Sequence, residues 1–168
     1  ANLIVTVAKA AASASRIEGV LKMQSSLQIL SNGEKKTEEF IVFDHVFARY
    51  NEGGDEALED ISFTAKRGEV IGVIGGTGSG KTTLVNLLPH FYDVSGGQVR
   101  IDGMDVRFAG MQEYLRTRIA VVPQKAQLFK GTIKENLRWG KADATDEEML
   151  AAARIAQAED VILGKGGL

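Results

Sequence analysis

Eight consecutive residues, Gly75-Gly76-Thr77-Gly78-Ser79-Gly80-Lys81-Thr82, have the types and the spacing for chemistry on a phosphate. They fit the pattern G-x-x-x-x-G-K-[ST], and each position has a physical reason. Glycines without a Cβ let successive backbone N–H groups converge on phosphate oxygens, and a helix beginning at Lys81 adds the positive end of its dipole. Lys81 supplies a point charge for the β and γ phosphates of a nucleoside triphosphate. Thr82 offers a small hydroxyl as a magnesium ligand, which suits a cation that keeps most of its waters. The plain alternative is a glycine-rich turn followed by a chance Lys-Thr pair. The flanks oppose it, because the apolar run Val70 to Ile74 precedes the loop and a helical stretch follows it.

Such a loop has to be delivered by a strand and received by a helix. Short apolar runs at Phe40 to Phe47, Ala57 to Phe63, Glu69 to Ile74, Gln98 to Ile101 and Ile119 to Val122 are the expected strands. Helical patterns fall at Lys81 to Leu88, Met111 to Arg116, Thr132 to Trp139 and Thr145 to Ala158, the last opened by a capping box of Thr145 and Glu148. The alternation predicts a partly parallel α/β sheet. Ahead of it, the stretch Ala1 to Leu30 contains a helix of about six turns with Ala14, Ile17, Val20 and Leu21 on one face. Lys9, Arg16, Glu18 and Lys22 interrupt it, so it is expected neither to span a bilayer alone nor to be a signal peptide. Ser31-Asn32-Gly33 and Glu34-Lys35-Lys36 read as a stop and a polar linker, which puts a boundary near residue 33.

The 168 residues amount to about one domain, and 44% hydrophobic with 25% charged residues places them among globular α/β chains rather than disordered or fibrous ones. Twenty basic against twenty-two acidic residues leave a charge of −2, so there is no broad basic field for nucleic acid or anionic lipid. Any anion must be gripped locally. The absence of cysteine excludes disulfides, thiolate-held zinc and cysteine nucleophiles, and the isolated His45 and His90 do not suggest a metal site. This composition fits a cytosolic face.

Further strings accompany the loop. Phe47-Ala48-Arg49-Tyr50 puts an aromatic 31 positions before Lys81, and Val121-Val122-Pro123-Gln124 puts a glutamine 43 positions after it. Alone, these are a strand-end tyrosine and a turn. Phe91-Tyr92-Asp93 leads toward Ile101-Asp102-Gly103, and Leu128-Phe129-Lys130-Gly131-Thr132-Ile133-Lys134-Glu135-Asn136-Leu137 opens the last third. With all of these in place, the chain resembles the nucleotide-binding domain of ATP-binding cassette (ABC) transporters, of the exporter type whose membrane domain precedes the ATPase on one polypeptide. Ser13-Ala14-Ser15-Arg16-Ile17 with Val20-Leu21 is similar to the cytoplasmic end of an exporter's last transmembrane helix.

The resemblance implies an α/β P-loop NTPase fold with an antiparallel β subdomain, a RecA-like core that is incomplete in this chain, and the start of a helical subdomain. It divides the chain into residues 1–33, the end of the last transmembrane or cytoplasmic helix with its linker, and residues 34–168, the N-terminal part of the ATPase domain. It implies ATP and Mg2+ as cofactors. Tyr50 would stack on adenine, worth about 1–3 kcal/mol by analogy with other bases on aromatics. Gly75, Gly76, Thr77, Gly78, Ser79, Gly80, Lys81, Thr82 and Thr83 would hold the phosphates, Thr82 and Gln124 would meet the metal, and Lys81 and Gln124 are the catalytic candidates. Gln124 would also reach the attacking water, and its loop would contact the membrane domain. The implied partners are a second ABC ATPase domain, identical or different, and the chain's own transmembrane domain, with no nucleic acid; the implied location is the cytoplasmic face of the cell membrane.

Three strings imitate motifs without matching their context. Val94-Ser95-Gly96-Gly97-Gln98 copies the family's signature 13 positions after Lys81, where a turn is expected in Ser95-Gly96-Gly97. Phe40-Ile41-Val42-Phe43-Asp44 copies a Walker B strand but precedes the P-loop, so Asp44 is expected at the surface. Asp93-Val94-Ser95-Gly96 fits D-x-x-G of GTPases, with no Asn-Lys-x-Asp to read guanine. The resemblance places the signature, the Walker B carboxylates and the switch histidine beyond Leu168, so residues 1–168 alone are expected to be poorly stable and not hydrolytic. A small P-loop kinase is the enzymatic alternative, but Arg100, Arg107, Arg116, Arg118 and Arg138 are scattered rather than grouped in a lid. A non-catalytic nucleotide-binding module is the other.

Overall fold

The computed structural model describes residues 2–33, 39–51 and 53–168. The chain divides into two units, Ala1–Ala120 and Val121–Leu168. In the first, Ile41–Ala48 (β1), Leu58–Ala65 (β2), Gly96–Ile101 (β3) and Met104–Asp105 (β4) form a four-stranded sheet in the order β2-β1-β3-β4. Residues rich in Ile, Val and Phe suit these pleated, half-buried positions. β1 lies between β2 and β3, with Phe43 opposite both Phe63 and Val99. The Phe43 and Phe63 rings stack at 4.6 Å.

Every pairing in this sheet is antiparallel, as the antiparallel β subdomain implied by the resemblance requires, whereas the partly parallel pairing expected from the strand–helix alternation is absent among the described residues. For β3 and β4 the connection decides it, since parallel neighbours need a long crossover and β3 turns into β4 within two residues. Asp102 and Gly103 both have positive φ, 55° and 79°, as a type I′ hairpin demands. The β1 ladder shifts register around His45, whose φ is 48°, opposite Gly97 at φ 75°. A Cβ on Gly97 would overlap the His45 carbonyl, so this glycine is required by a close approach. Gly96 and Gly97 therefore open β3 rather than forming the expected turn. Asp44 is half-exposed and pairs with Arg100 at 3.2 Å.

Lys81–Leu87 (α2) and Met111–Arg118 (α3) supply the other side of the core. Leu87, Met111 and Leu115 pack with Phe43, Val46, Val99, Ile101 and Val106, all nearly inaccessible to solvent. Asn2–Leu21 (α1) has the expected length, and among the described residues no helix is long and apolar enough to cross a membrane. After it, Leu30 makes a parallel bridge to Phe108, through Leu30 N–H to the Arg107 carbonyl and Ala109 N–H to the Leu30 carbonyl, both 2.9 Å. The expected linker Glu34-Lys35-Lys36 lies outside the described residues.

Two expected strands do not form. Glu69 to Ile74 and Ile119 to Val122 join no ladder among the described residues. Val70 is 98%, Ile74 99% and Val122 94% exposed. A run that is apolar on both faces matches a strand flanked by neighbours and covered above and below. Without a neighbour to take its N–H and C=O groups, the run has the composition of a strand and not its pairing.

In the second unit, Ile133–Leu137 (α4), Asp146–Ile155 (α5) and Glu159–Gly164 (α6) are the helices. The helix expected over Thr145 to Ala158 ends at Ile155, because Gln157 at φ 55° turns the chain, and α6 lies beyond that stretch. Both Thr132 and Thr145 form full capping boxes, with Glu135 and Glu148. Met149, Ala153 and Ile162 are buried, and Phe129 stacks on Trp139 at 4.7 Å.

Candidate functional site

The loop that precedes α2 is shaped by its glycines. Gly78 and Gly80 have φ of 82° and 81°, a region that side chains with a Cβ rarely enter. A Cβ on Gly80 would also overlap the Ala57 carbonyl and Leu58 of β2. Gly80 is the residue on which α2 begins, and no side chain caps the helix there. The first-turn N–H groups of α2 thus have no side-chain acceptor, and the helix dipole favours an anion beside them.

Around this end the loop is tied by its own side chains. The Ser79 hydroxyl donates to the Gly76 carbonyl at 2.9 Å. The Lys81 ammonium donates to the Gly75 carbonyl at 2.7 Å, to the Gly76 carbonyl, and to Ser79 Oγ at 3.1 Å. The cation is therefore held by neutral acceptors of its own loop, weaker partners than an anion would be, since hydrogen bonds between charged groups are the stronger ones. Thr77 and Thr82 are exposed, whereas Thr83 is buried on α2.

Tyr50 is brought to the same helix. Its hydroxyl and Thr83 Oγ1 are 2.7 Å apart, across 33 residues of sequence, and its ring is about half exposed. Tyr92 meets that ring edge-on, with centroids 5.0 Å apart and planes at 89°. An aromatic face left open by an edge-on neighbour can receive a planar base. Beside it, Arg49 pairs with Glu56 at 3.0 Å, and Glu56 also accepts from the Ser95 hydroxyl at 2.9 Å. The ion pair offsets the charge of Arg49, the residue before Tyr50 in the chain.

Of the candidates read from the sequence, Tyr50, Gly75 to Thr82 and Thr83 lie in the first unit, and the Tyr50–Thr83 contact joins the aromatic to α2. Gln124 is exposed, in a bend of the second unit. Among the described residues no group of three or more His, Cys, Asp or Glu is arranged to hold a metal ion. Tyr92 was not singled out as a site residue, since the string Phe91-Tyr92-Asp93 carries no local signal that its tyrosine meets Tyr50. Arg107 and Asp105 form the most buried ion pair remote from the loop, at 2.7 Å. Burial pushes the Asp105 carboxyl up, but hydrogen bonds and charge from Arg107 outweigh it and hold the group below its ordinary value.

The ABC transporter family matches residues 58–167. The chain is 41% identical over 161 residues to the uncharacterized ABC transporter ATP-binding protein YfiB of Bacillus subtilis, covering 96% of this chain and 28% of that protein. It is 42% identical over 123 residues to a Staphylococcus aureus (strain NCTC 8325) protein named for multidrug export as an ATP-binding/permease protein, covering 73% of this chain and 21% of that one. A solved structure of a bacterial Atm1-family ABC exporter with ATP bound superposes with a TM-score of 0.75 at 28% identity, covering 95% of this chain and 28% of the other. The chain thus spans between a fifth and a third of the length of these relatives.

Proposed function

Because this chain belongs to the ABC transporter family, we propose that it is the ATP-binding part of an exporter, coupling Mg·ATP binding and hydrolysis in the intact protein to transport across a membrane. The observation that carries the reading is the uncapped N-terminus of α2 under Lys81, joined through Thr83 to an aromatic, Tyr50. In this reading Gly75 to Thr83 bind the phosphates and Tyr50 takes the adenine face. Mg2+ when bound screens the β and γ phosphates, and the exposed Thr82 hydroxyl suits it as a ligand. Gln124 acts at the metal and the attacking water, and its loop meets the membrane domain. Residues 1–33 form the end of the last membrane helix and its linker, residues 34–168 the beginning of the ATPase domain, and the whole lies at the cytoplasmic face. A second ATPase domain completes each site, and no nucleic acid is involved.

Catalysis of this kind is mostly positioning and charge stabilisation, so the residues at hand contribute phosphate binding. The proposal assigns the signature, the Walker B carboxylates and the switch histidine to sequence other than residues 1–168. Phosphate release from Mg·ATP by residues 1–168 tests it, with Lys81→Ala as the contaminant control. The expected result is no Lys81-dependent turnover. Lys81-dependent release near about 1 s⁻¹, the low end of ordinary enzymes, would show that this stretch is a self-sufficient NTPase.

A further inference from the structure

The segment that follows α1 is fastened to the loop that carries Tyr92. The Gln28 N–H donates to Asp93 Oδ2 at 2.8 Å, across 65 residues of sequence. The other oxygen, Oδ1, accepts from His90 Nε2 at 2.9 Å. The His90 side chain is 1% exposed, and its ring is fixed from the far side. There the Gln112 amide reaches both His90 Nδ1, at 3.2 Å, and the Val106 carbonyl, at 3.1 Å. An amide nitrogen only donates, so Nδ1 accepts and Nε2–H is the donor to Asp93. Asp93 thus uses one oxygen on a buried, immobile ring and the other on the incoming backbone. Its neighbour Tyr92 is the edge-on partner of Tyr50. Gln24, Ser25 and Leu27 share with Tyr50 and Asp93 the lining of one cavity of about 470 Å³.

We infer that Asp93 is a positioning residue that ties the segment after α1 to the aromatic pair Tyr50–Tyr92, so that seating of that segment and the grip on the base are coupled. The inference rests on the reading of Tyr50 as the base platform. With the carboxylate in place, residues 90–93 are held from both sides and the Tyr92 edge keeps the Tyr50 ring upright. Releasing Gln28 frees that edge. The phosphate loop is untouched, because neither Asp93 nor Gln28 bonds to residues 75–82. Coupling between sites is shown by energetics and not by adjacency, so the test compares two ligands.

Titrate residues 1–168 with ATP and, separately, with inorganic tripolyphosphate, which keeps the charge and lacks the base. Asp93→Asn leaves one acceptor for two donors and turns an amide N–H toward Gln28. It is expected to weaken ATP by about three- to tenfold, the range of an aromatic pair contact, and to leave tripolyphosphate unchanged. Gln28→Pro, which removes the donor and keeps the carboxylate, should give the same split. Equal weakening of both ligands by both variants, or unchanged ATP affinity in Asp93→Asn, overturns the inference. Tyr50→Ala separates the two claims. If it leaves the ATP-to-tripolyphosphate ratio unaltered, the platform reading fails and takes this inference with it. If it alters the ratio while Asp93→Asn does not, only the role of Asp93 falls.

Discussion

Helices α4 and α5 begin on Thr132 and Thr145, whose hydroxyls each accept a first-turn N–H while a glutamate reaches back to the cap, and α2 begins on Gly80, which offers no side-chain acceptor. All three starts face the same deficit of acceptors for their first N–H groups. Two of them meet it within the chain. In the proposed function the third would meet it with an external anion, for which the glycines of the loop leave room and Lys81 supplies charge. Helices α3 and α6 also start without a side-chain cap, so what sets α2 apart is the glycine loop and the lysine at its start rather than the open end alone.

The sharpest way to break this contrast is to give α2 an ordinary start. Gly80→Ala forces a Cβ into φ 81° and against the Ala57 carbonyl. Strain of this kind costs about 1–3 kcal/mol, and the loop should shift, so ATP affinity is expected to fall by more than about tenfold together with the melting temperature. An unperturbed affinity would mean that the loop shape is not what binds. The converse test removes a cap. Thr145→Ala should cost about 1 kcal/mol of stability, read as a lower melting midpoint of the helical signal, and leave ATP affinity unchanged. Loss of ATP affinity there would erase the distinction between capped and open ends.

Acid titrates the caps more gently. The Glu135 carboxyl is held below its ordinary 4.5 by the backbone N–H and then the hydroxyl of Thr132, and Glu148 by Lys141 and then the Thr145 N–H. A carboxylate with a depressed value stabilises the fold above its unfolded value and loses that contribution as pH falls through the folded one. Helix content should therefore hold from neutral pH to about 4.5 and decline below it. Both groups are exposed, so the effect is the smallest of the three. A decline that Thr132→Ala and Thr145→Ala leave identical would remove the caps as its cause.

Much of this was legible in the sequence, for local reasons. The loop and the cap at Thr145 are set by residues within a few positions of one another, and α2, α3 and β3 start within a few residues of where the pattern puts them. What was not legible depends on partners distant in sequence. Val70 and Ile74 read as strand because their composition anticipates neighbours, and no ladder among the described residues supplies one. The antiparallel subdomain was legible only through the resemblance, since the strand–helix alternation by itself pointed to parallel pairing; locally, the Asp102-Gly103 turn accounts for β3 with β4 alone. Tyr50 was singled out through the resemblance, its spacing from Lys81 included; its bond to Thr83 and the edge of Tyr92 come from packing that no local periodicity announces.

The central claim is that an anion held under Lys81 at the open end of α2 is the phosphate chain of ATP. Calorimetric titration of Mg·ATP into residues 1–168 and into Lys81→Ala tests it most directly. The ammonium's three bonds go to its own exposed loop and none to the core, so the variant should lose little of its melting temperature. Loss of a charge-assisted contact of roughly 1.5–3 kcal/mol should lower its affinity by about 10- to 100-fold. Equal affinities in the two proteins at equal stability would contradict the account.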